Sequence, residues 1–253
     1  MNYSIALAGK GGSGKTSTAG LIIRYLVKNG LVPVLAVDAD GNANLGESLG
    51  LDTEKTIGSI IADFNEDKIS IPSGLTKGAY LEVKMNEAVV ESKGLDLVSM
   101  GRGEGTGCYC YPNTVLKKFI DELKENYAYM VMDNEAGMEH LSRRTTENVD
   151  ELFIISNHSV KGVRTVGRIL ELIKELKLDV KKQGVIITQV PAEMDSHVIK
   201  ELEQLGIEPI AIIPYDENVL NYDLEKKSLI DLPDGSPAVE VVDRFMDSVT
   251  AKK

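Results

Sequence analysis

Four sets of residues carry side chains whose types and spacing can do chemistry. The earliest is Gly9-Lys10-Gly11-Gly12-Ser13-Gly14-Lys15-Thr16, which fits the pattern G-x-x-x-x-G-K-[ST]. In that pattern the glycines let backbone N–H groups curl around phosphates, the lysine reaches the β and γ oxygens, and the hydroxyl holds Mg²⁺. Gly9, Gly14, Lys15 and Thr16 take those places, with Lys10, Gly11, Gly12 and Ser13 between them. The second set is Asp38 and Asp40, two carboxylates close together in Val37-Asp38-Ala39-Asp40-Gly41-Asn42-Ala43-Asn44. The third is Asp133, which closes an apolar run where a carboxylate supporting Mg²⁺ through water belongs. The fourth is Cys108-Tyr109-Cys110, inside a glycine-rich stretch from Gly101 to Pro112. In extended backbone residues i and i+2 share a face, so both sulfurs can meet one ion, but two thiolates make only half of a usual four-ligand site.

Three of these sets also have a plainer reading. A glycine run can be a flexible turn, Asp40 can cap the helix that follows it, and two cysteines can be buried and inert.

The elements around these residues favour the chemical readings. Residues 3–8 read as a strand and 16–28 as a helix, so the glycine loop has a strand before it and a helix aiming its positive end at it. Apolar runs at 33–38, 95–100, 129–133, 152–156, 184–188 and 209–213 read as buried strands. Between them, 117–126, 161–176 and 197–205 carry apolar residues at three- and four-residue spacing, and Gly206 is a stop signal. The stretch 239–249 is amphipathic, but Glu240, Asp243, Arg244 and Asp247 suit a core-docked surface helix better than a membrane anchor. This alternation predicts an α/β fold, one domain over residues 1–253, with a mostly parallel sheet flanked by helices on both sides and ligands at the carboxyl ends of its strands. Residues 52–93 are harder to read, with 80–84 as a short edge strand.

Composition narrows the partners. A chain of 253 residues, 43% apolar, is long enough to bury one substantial core. Its net charge of -11 argues against broad attachment to nucleic acid or anionic lipid. No run of about 18 apolar residues occurs and the start lacks the pattern of a secretory signal, so a cytoplasmic location is expected. Two cysteines are too few for a disulfide framework, and a close pair in a reducing compartment suits metal or redox chemistry.

The stretch Gly9 to Ser17, with its second lysine Lys10, resembles the deviant phosphate-loop ATPases, the class of MinD, ParA, the arsenite pump ATPase and the nitrogenase iron protein. The resemblance implies ATP/ADP and Mg²⁺ as ligands and a face-to-face homodimer in which Lys10 touches the partner's nucleotide, as an arginine finger does. It gives Asp38 a place in the Mg²⁺ shell and Asp40 the attacking water, although Gly41 stands where the family often has proline. Gly137 resembles the switch glycine whose N–H meets the γ-phosphate. The family's adenine-reading asparagine has a counterpart in Gln189, whose carboxamide offers the same groups on a longer stem, and the loop at Pro214 either covers the base or is a plain turn.

Within that class, Asp133 to Arg144 (DNEAGMEHLSRR) and the C-x-C pair resemble the CooC family, ATPases that mature nickel carbon monoxide dehydrogenase. The resemblance implies a Ni²⁺ or Zn²⁺ site at the dimer interface, with Cys108 and Cys110 supplied by both subunits. It implies that ATP binding and hydrolysis are coupled to nickel insertion into carbon monoxide dehydrogenase or acetyl-CoA synthase. Two other readings stay open: a positioning ATPase of the MinD or ParA kind, and an electron-transfer ATPase like the nitrogenase iron protein, whose cysteines are well separated rather than adjacent. Glu135, Glu139 and His140 form a polar run, with His140 read as structural because no second histidine is spaced with it.

Overall fold

A computed structural model describes residues 3–65, 71–101, 118–137 and 149–251. The apolar runs become strands β1 (Tyr3–Gly9), β2 (Val34–Ala39), β3 (Val89–Ser92), β4 (Leu95–Ser99), β5 (Tyr129–Asn134), β6 (Val149–Asn157), β7 (Val180–Val190) and β8 (Ala211–Pro214). They form one sheet in the order β3-β4-β2-β5-β1-β6-β7-β8. Every pairing is parallel except β3 with β4. The central strands read as unbroken apolar runs because helices cover both of their faces.

Alternate residues feed two separate cores. Ile5, Leu7, Val34, Ala36, Val131 and Phe153 point to one face. That face is covered by α1 (Lys15–Lys28), α2 (Leu45–Leu49) and the last helix, Pro237–Thr250. Ala6, Ala8, Leu35, Val37, Met130 and Leu152 point to the other. There α3 (Ile57–Asn65), α4 (Lys77–Asn86), a helical stretch at 118–123, α5 (Val160–Leu176) and α6 (Ser196–Leu205) pack. The described chain also holds α7 (Glu217–Leu224) and short 3-10 turns at Lys124–Asn126 and Leu229–Asp231, and its last helix is α8 (Pro237–Thr250). Local chemistry sets several ends. Ser159 caps α5 by accepting from Gly162 N, Asp195 caps α6 by accepting from His197 N, and Gly206 ends α6 at φ +61°.

The edge of the sheet differs from the sequence expectation. Residues 80–84 lie inside α4, not in a strand, because Leu81 and Met85 recur at helical spacing and bury against the core while Thr76 caps the start by accepting from Ala79 N. The edge position goes instead to β3, a hairpin partner of β4 joined through Lys93-Gly94, with Gly94 at φ +77°. The amphipathic C-terminal stretch is a helix whose apolar side, Ala238, Val239, Val242, Phe245, Met246 and Val249, is already buried. Among the described residues no helix is long and apolar enough to cross a membrane.

Candidate active site

β1 delivers the chain to the centre of the sheet's carboxyl edge, and the glycines let it turn there. At Gly9 a Cβ would stand 2.3 Å from the Ile155 carbonyl of β6, so any side chain would push the paired strands apart. Gly14, at φ +82°, takes the left-handed conformation that lets α1 begin at Lys15. The free N–H groups of that first turn and the positive end of the helix dipole then face the loop. Lys15 is 7% exposed, and its ammonium donates to the Lys10 carbonyl at 3.4 Å. Burial lowers its pKa, an effect opposed by the carboxylates of Asp133 and Asp40. The Lys10 side chain is exposed.

The acidic residues converge on the same edge. β2 and β5 are in register with Asp38 opposite Asp133. Asp133 is 1% exposed, accepts from the Thr16 hydroxyl at 2.6 Å through Oδ2, and among the described residues has no partner at Oδ1. Burial pushes its pKa up to about 6, against the pull of Thr16 and Lys15. Asp38 is fully buried; its Oδ1 accepts from Asp40 N at 3.1 Å and its Oδ2 from Leu45 N at 2.8 Å. Burial, with Asp133 close by, pushes it up to about 7 despite those two bonds. Asp40 is half-buried, and its Oδ1 accepts from both the backbone N and the side-chain amide of Asn42. A hydroxyl, a buried carboxylate with an orphaned oxygen and a second carboxylate beside it fit Mg²⁺, which takes one or two carboxylates and completes its shell with phosphates and water.

Beside α1, a cleft of about 350 Å³ is walled by Gly14, Thr18, Gln189, Pro214, Tyr215 and Asp216. Asp216 braces that wall, because its carboxylate accepts from Asn218 N, Ala238 N and the Ser236 hydroxyl. The cleft adjoins the glycine loop and has the size of a small-molecule pocket.

A family model for the CobQ/CobB/MinD/ParA nucleotide binding domain matches residues 4–230. The chain belongs to this family. It is 40% identical to an uncharacterized ATP-binding protein of Methanocaldococcus jannaschii over 251 residues, 98% of this chain and 99% of that one. It is 28% identical over 249 residues to the carbon monoxide dehydrogenase accessory protein CooC of Rhodospirillum rubrum, covering 92% of this chain and 90% of that one. Among solved structures, the MinC:MinD cell division protein complex of Aquifex aeolicus matches with a TM-score of 0.73 at 24% identity, over 99% of this chain and 96% of that one. The glycine loop therefore belongs to an ATP-binding, ATP-hydrolysing CobQ/CobB/MinD/ParA domain.

In this ATPase the residues read from the sequence fall in three places. Gly9 through Ser17, Asp38, Asp40 and Asp133 lie together around the loop. Gln189, exposed and at φ +55°, meets Pro214 in the adjoining cleft. Gly137 is bridged to Gly9, its N–H donating to the Gly9 carbonyl at 3.3 Å. Cys108, Cys110, Glu139 and His140 lie outside the described residues. Among the described residues no group of three or more His, Cys, Asp or Glu is placed to hold a metal.

Two residues at the site escaped the sequence reading. Asn134, fully buried, donates its amide to the Leu7 carbonyl and so ties β5 to β1 just before the glycine loop. Thr188 donates its hydroxyl to the Ser13 carbonyl at 2.6 Å. Nothing in the order of residues links 134 to 7 or 188 to 13; only the sheet brings them together.

Proposed function

We propose that this ATPase acts as a homodimer that couples ATP binding and hydrolysis to nickel insertion into carbon monoxide dehydrogenase or the related acetyl-CoA synthase. The observation that carries the reading is the Cys108-Tyr109-Cys110 pair in a glycine-rich stretch, in a chain similar to CooC along nearly its whole length.

The chemistry of ATP follows from the site's own groups. The amides of Gly11 to Thr16 and the Lys15 ammonium hold the phosphate chain, and Lys15 neutralises charge on the β and γ oxygens. Thr16, Asp133 and Asp38 hold Mg²⁺, which when bound would draw charge from the phosphates. Asp40 orients the attacking water and accepts its proton. Lys10, exposed beside the loop, reaches the nucleotide of the partner subunit. Gly137 exchanges its bond to the Gly9 carbonyl for one to the γ-phosphate, so the presence of that phosphate is read by the segment that follows. The base enters the cleft between Gln189 and Pro214. Closing two subunits on ATP brings two cysteine pairs together, completing a four-thiolate site for Ni²⁺ or Zn²⁺ as cargo.

A second reading, a positioning ATPase of the MinD or ParA kind, is favoured by the fold's likeness to MinD. Against a membrane-bound version stand the net charge of -11 and the C-terminal helix, whose apolar side is committed to the core. The deciding experiment incubates nickel-deficient carbon monoxide dehydrogenase with Ni²⁺, this protein and ATP, and measures CO oxidation. Activation that requires both protein and ATP supports the maturation reading. No activation by a preparation that hydrolyses ATP, together with ATP-dependent sedimentation on vesicles or DNA, supports the positioning reading.

A further inference from the structure

We propose that Thr188 is a positioning residue for the phosphates of ATP, acting through the carbonyl of Ser13. β7 stays in parallel register with β6 as far as the pair Asn157↔Thr188, but its register with β8 shifts between Ile187 and Val190. Gln189 absorbs the irregularity at φ +55°. Thr188 itself lies before that residue, two residues after Ile186 of the α1-side core, so strand alternation turns it toward that face; 4% exposed, it donates its hydroxyl to the Ser13 carbonyl at 2.6 Å with the Ser156 carbonyl at 3.3 Å. The backbone of Thr188 is itself fixed, since its carbonyl accepts from His158 N at 3.1 Å.

The consequence follows from the planarity of the peptide unit. The Ser13 carbonyl and the Gly14 N–H are two ends of one plane and point in opposite directions. Holding the carbonyl toward β7 therefore fixes the Gly14 N–H away from it. Gly14 needs this restraint, because a glycine at φ +82° has no side chain to keep its peptide from rotating. The Thr188 side chain also packs this turn, with Oγ1 3.3 Å and Cβ 3.6 Å from where a Gly14 Cβ would lie. Consecutive residues at the end of β7 thus serve the site differently: Thr188 sets the phosphate loop and Gln189 lines the cleft. The inference needs only ATP binding by this loop and is independent of the client enzyme and of the cysteines.

The test compares Thr188→Val, Thr188→Ala and Thr188→Ser for ATP and GTP affinity, turnover at saturating ATP, and thermal melting of the full chain. Thr188→Val and Thr188→Ala, which leave the buried Ser13 carbonyl without its donor, should bind ATP roughly tenfold more weakly. Turnover at saturation should hold within about twofold, because the interaction positions bound phosphate before and during transfer alike. Thr188→Ser should bind like the parent, and the ratio of ATP to GTP affinity should stay constant across the series. The proposal is overturned by parental ATP affinity in Thr188→Val, by an altered ATP to GTP ratio, or by failure of Thr188→Ser to restore binding. It is also overturned if Thr188→Val and Thr188→Ala lose cooperative melting while Thr188→Ser keeps it, since the hydroxyl would then hold the fold and not the phosphates.

Discussion

The Thr16 hydroxyl donates to Asp133 Oδ2 at 2.6 Å, joining the first turn of α1 to the end of β5 and leaving Asp133 Oδ1 without a partner among the described residues. The two groups that would share a divalent cation are thus pre-arranged against each other, on rigid elements rather than on a loop. Asp133→Asn removes the charge and keeps the shape. It should lower ATP turnover about 10–100-fold, as loss of a supporting carboxylate does, and blunt the dependence of ATP affinity on Mg²⁺. Titrating nucleotide with and without Mg²⁺ checks this; an undiminished Mg²⁺ effect in the variant removes Asp133 from the cation's shell.

The buried carboxylates also make stability depend on pH. Asp38 and Asp133 are pushed from 3.8 up to about 7 and about 6, chiefly by burial. The folded protein therefore keeps protons that the unfolded chain has released, and stability falls as pH rises through that window. Asp150 and Asp216 shift the other way and act at lower pH, outside it. Melting in EDTA without nucleotide should occur at a lower temperature at pH 8 than at pH 5, with a shallower slope in Asp133→Asn. A melting temperature that rises over this range contradicts the burial argument.

The parts of the site legible in the sequence were those that contiguous residues specify. The glycine loop from Gly9 to Thr16 announces itself because backbone conformation, helix start and charge are all encoded within one short stretch. Asp38 and Asp133 were legible because each ends a fully apolar strand, where side chains stop facing the core and begin facing the ligand edge. Thr188 and Asn134 were not legible, since their partners Ser13 and Leu7 lie on other strands and a threonine or asparagine near a strand end is ordinary on its own. The misreading of 80–84 has a different cause: five residues fit period two and period 3.6 almost equally, and only packing of Leu81 and Met85 decides between them.

Lys15 and Asp40 should separate binding from turnover. Lys15 is buried in the loop while Asp40 is half-buried at its rim, so one is built to hold phosphate and the other to face solvent. Lys15→Ala is expected to abolish tight ATP binding. Asp40→Ala should bind ATP normally and hydrolyse it at least about 100-fold more slowly, the scale of a lost general base. Equal ATP affinity in Lys15→Ala and the parent, or normal turnover in Asp40→Ala, would refute these roles.

Lys10 presents an exposed side chain while its carbonyl serves Lys15 within the same subunit, so backbone and side chain can have different partners. Lys10→Ala should weaken ATP-driven dimerisation more than ATP binding. Sedimentation with a non-hydrolysable ATP analogue reads the first and nucleotide titration the second. Full dimerisation of the variant removes the role across the interface.

The cysteine prediction rests on ligand number. One Cys108-Tyr109-Cys110 stretch offers two thiolates, whereas a thiolate site for nickel or zinc commonly takes about four ligands, and in the proposed shared site the second pair comes from another copy. One divalent ion per dimer is therefore expected, lost on Cys108→Ser or Cys110→Ser. Because the thiols must release their protons to bind, affinity should fall as pH drops below about 7. ATP hydrolysis should largely survive either change, since Lys15, Thr16, Asp38 and Asp133 come from different segments, but activation of nickel-dependent carbon monoxide dehydrogenase should fail. Metal analysis against oligomeric state distinguishes the outcomes. One ion per monomer, or client activation by the double serine variant, would leave an ATP-switched dimer whose cysteines serve only its structure.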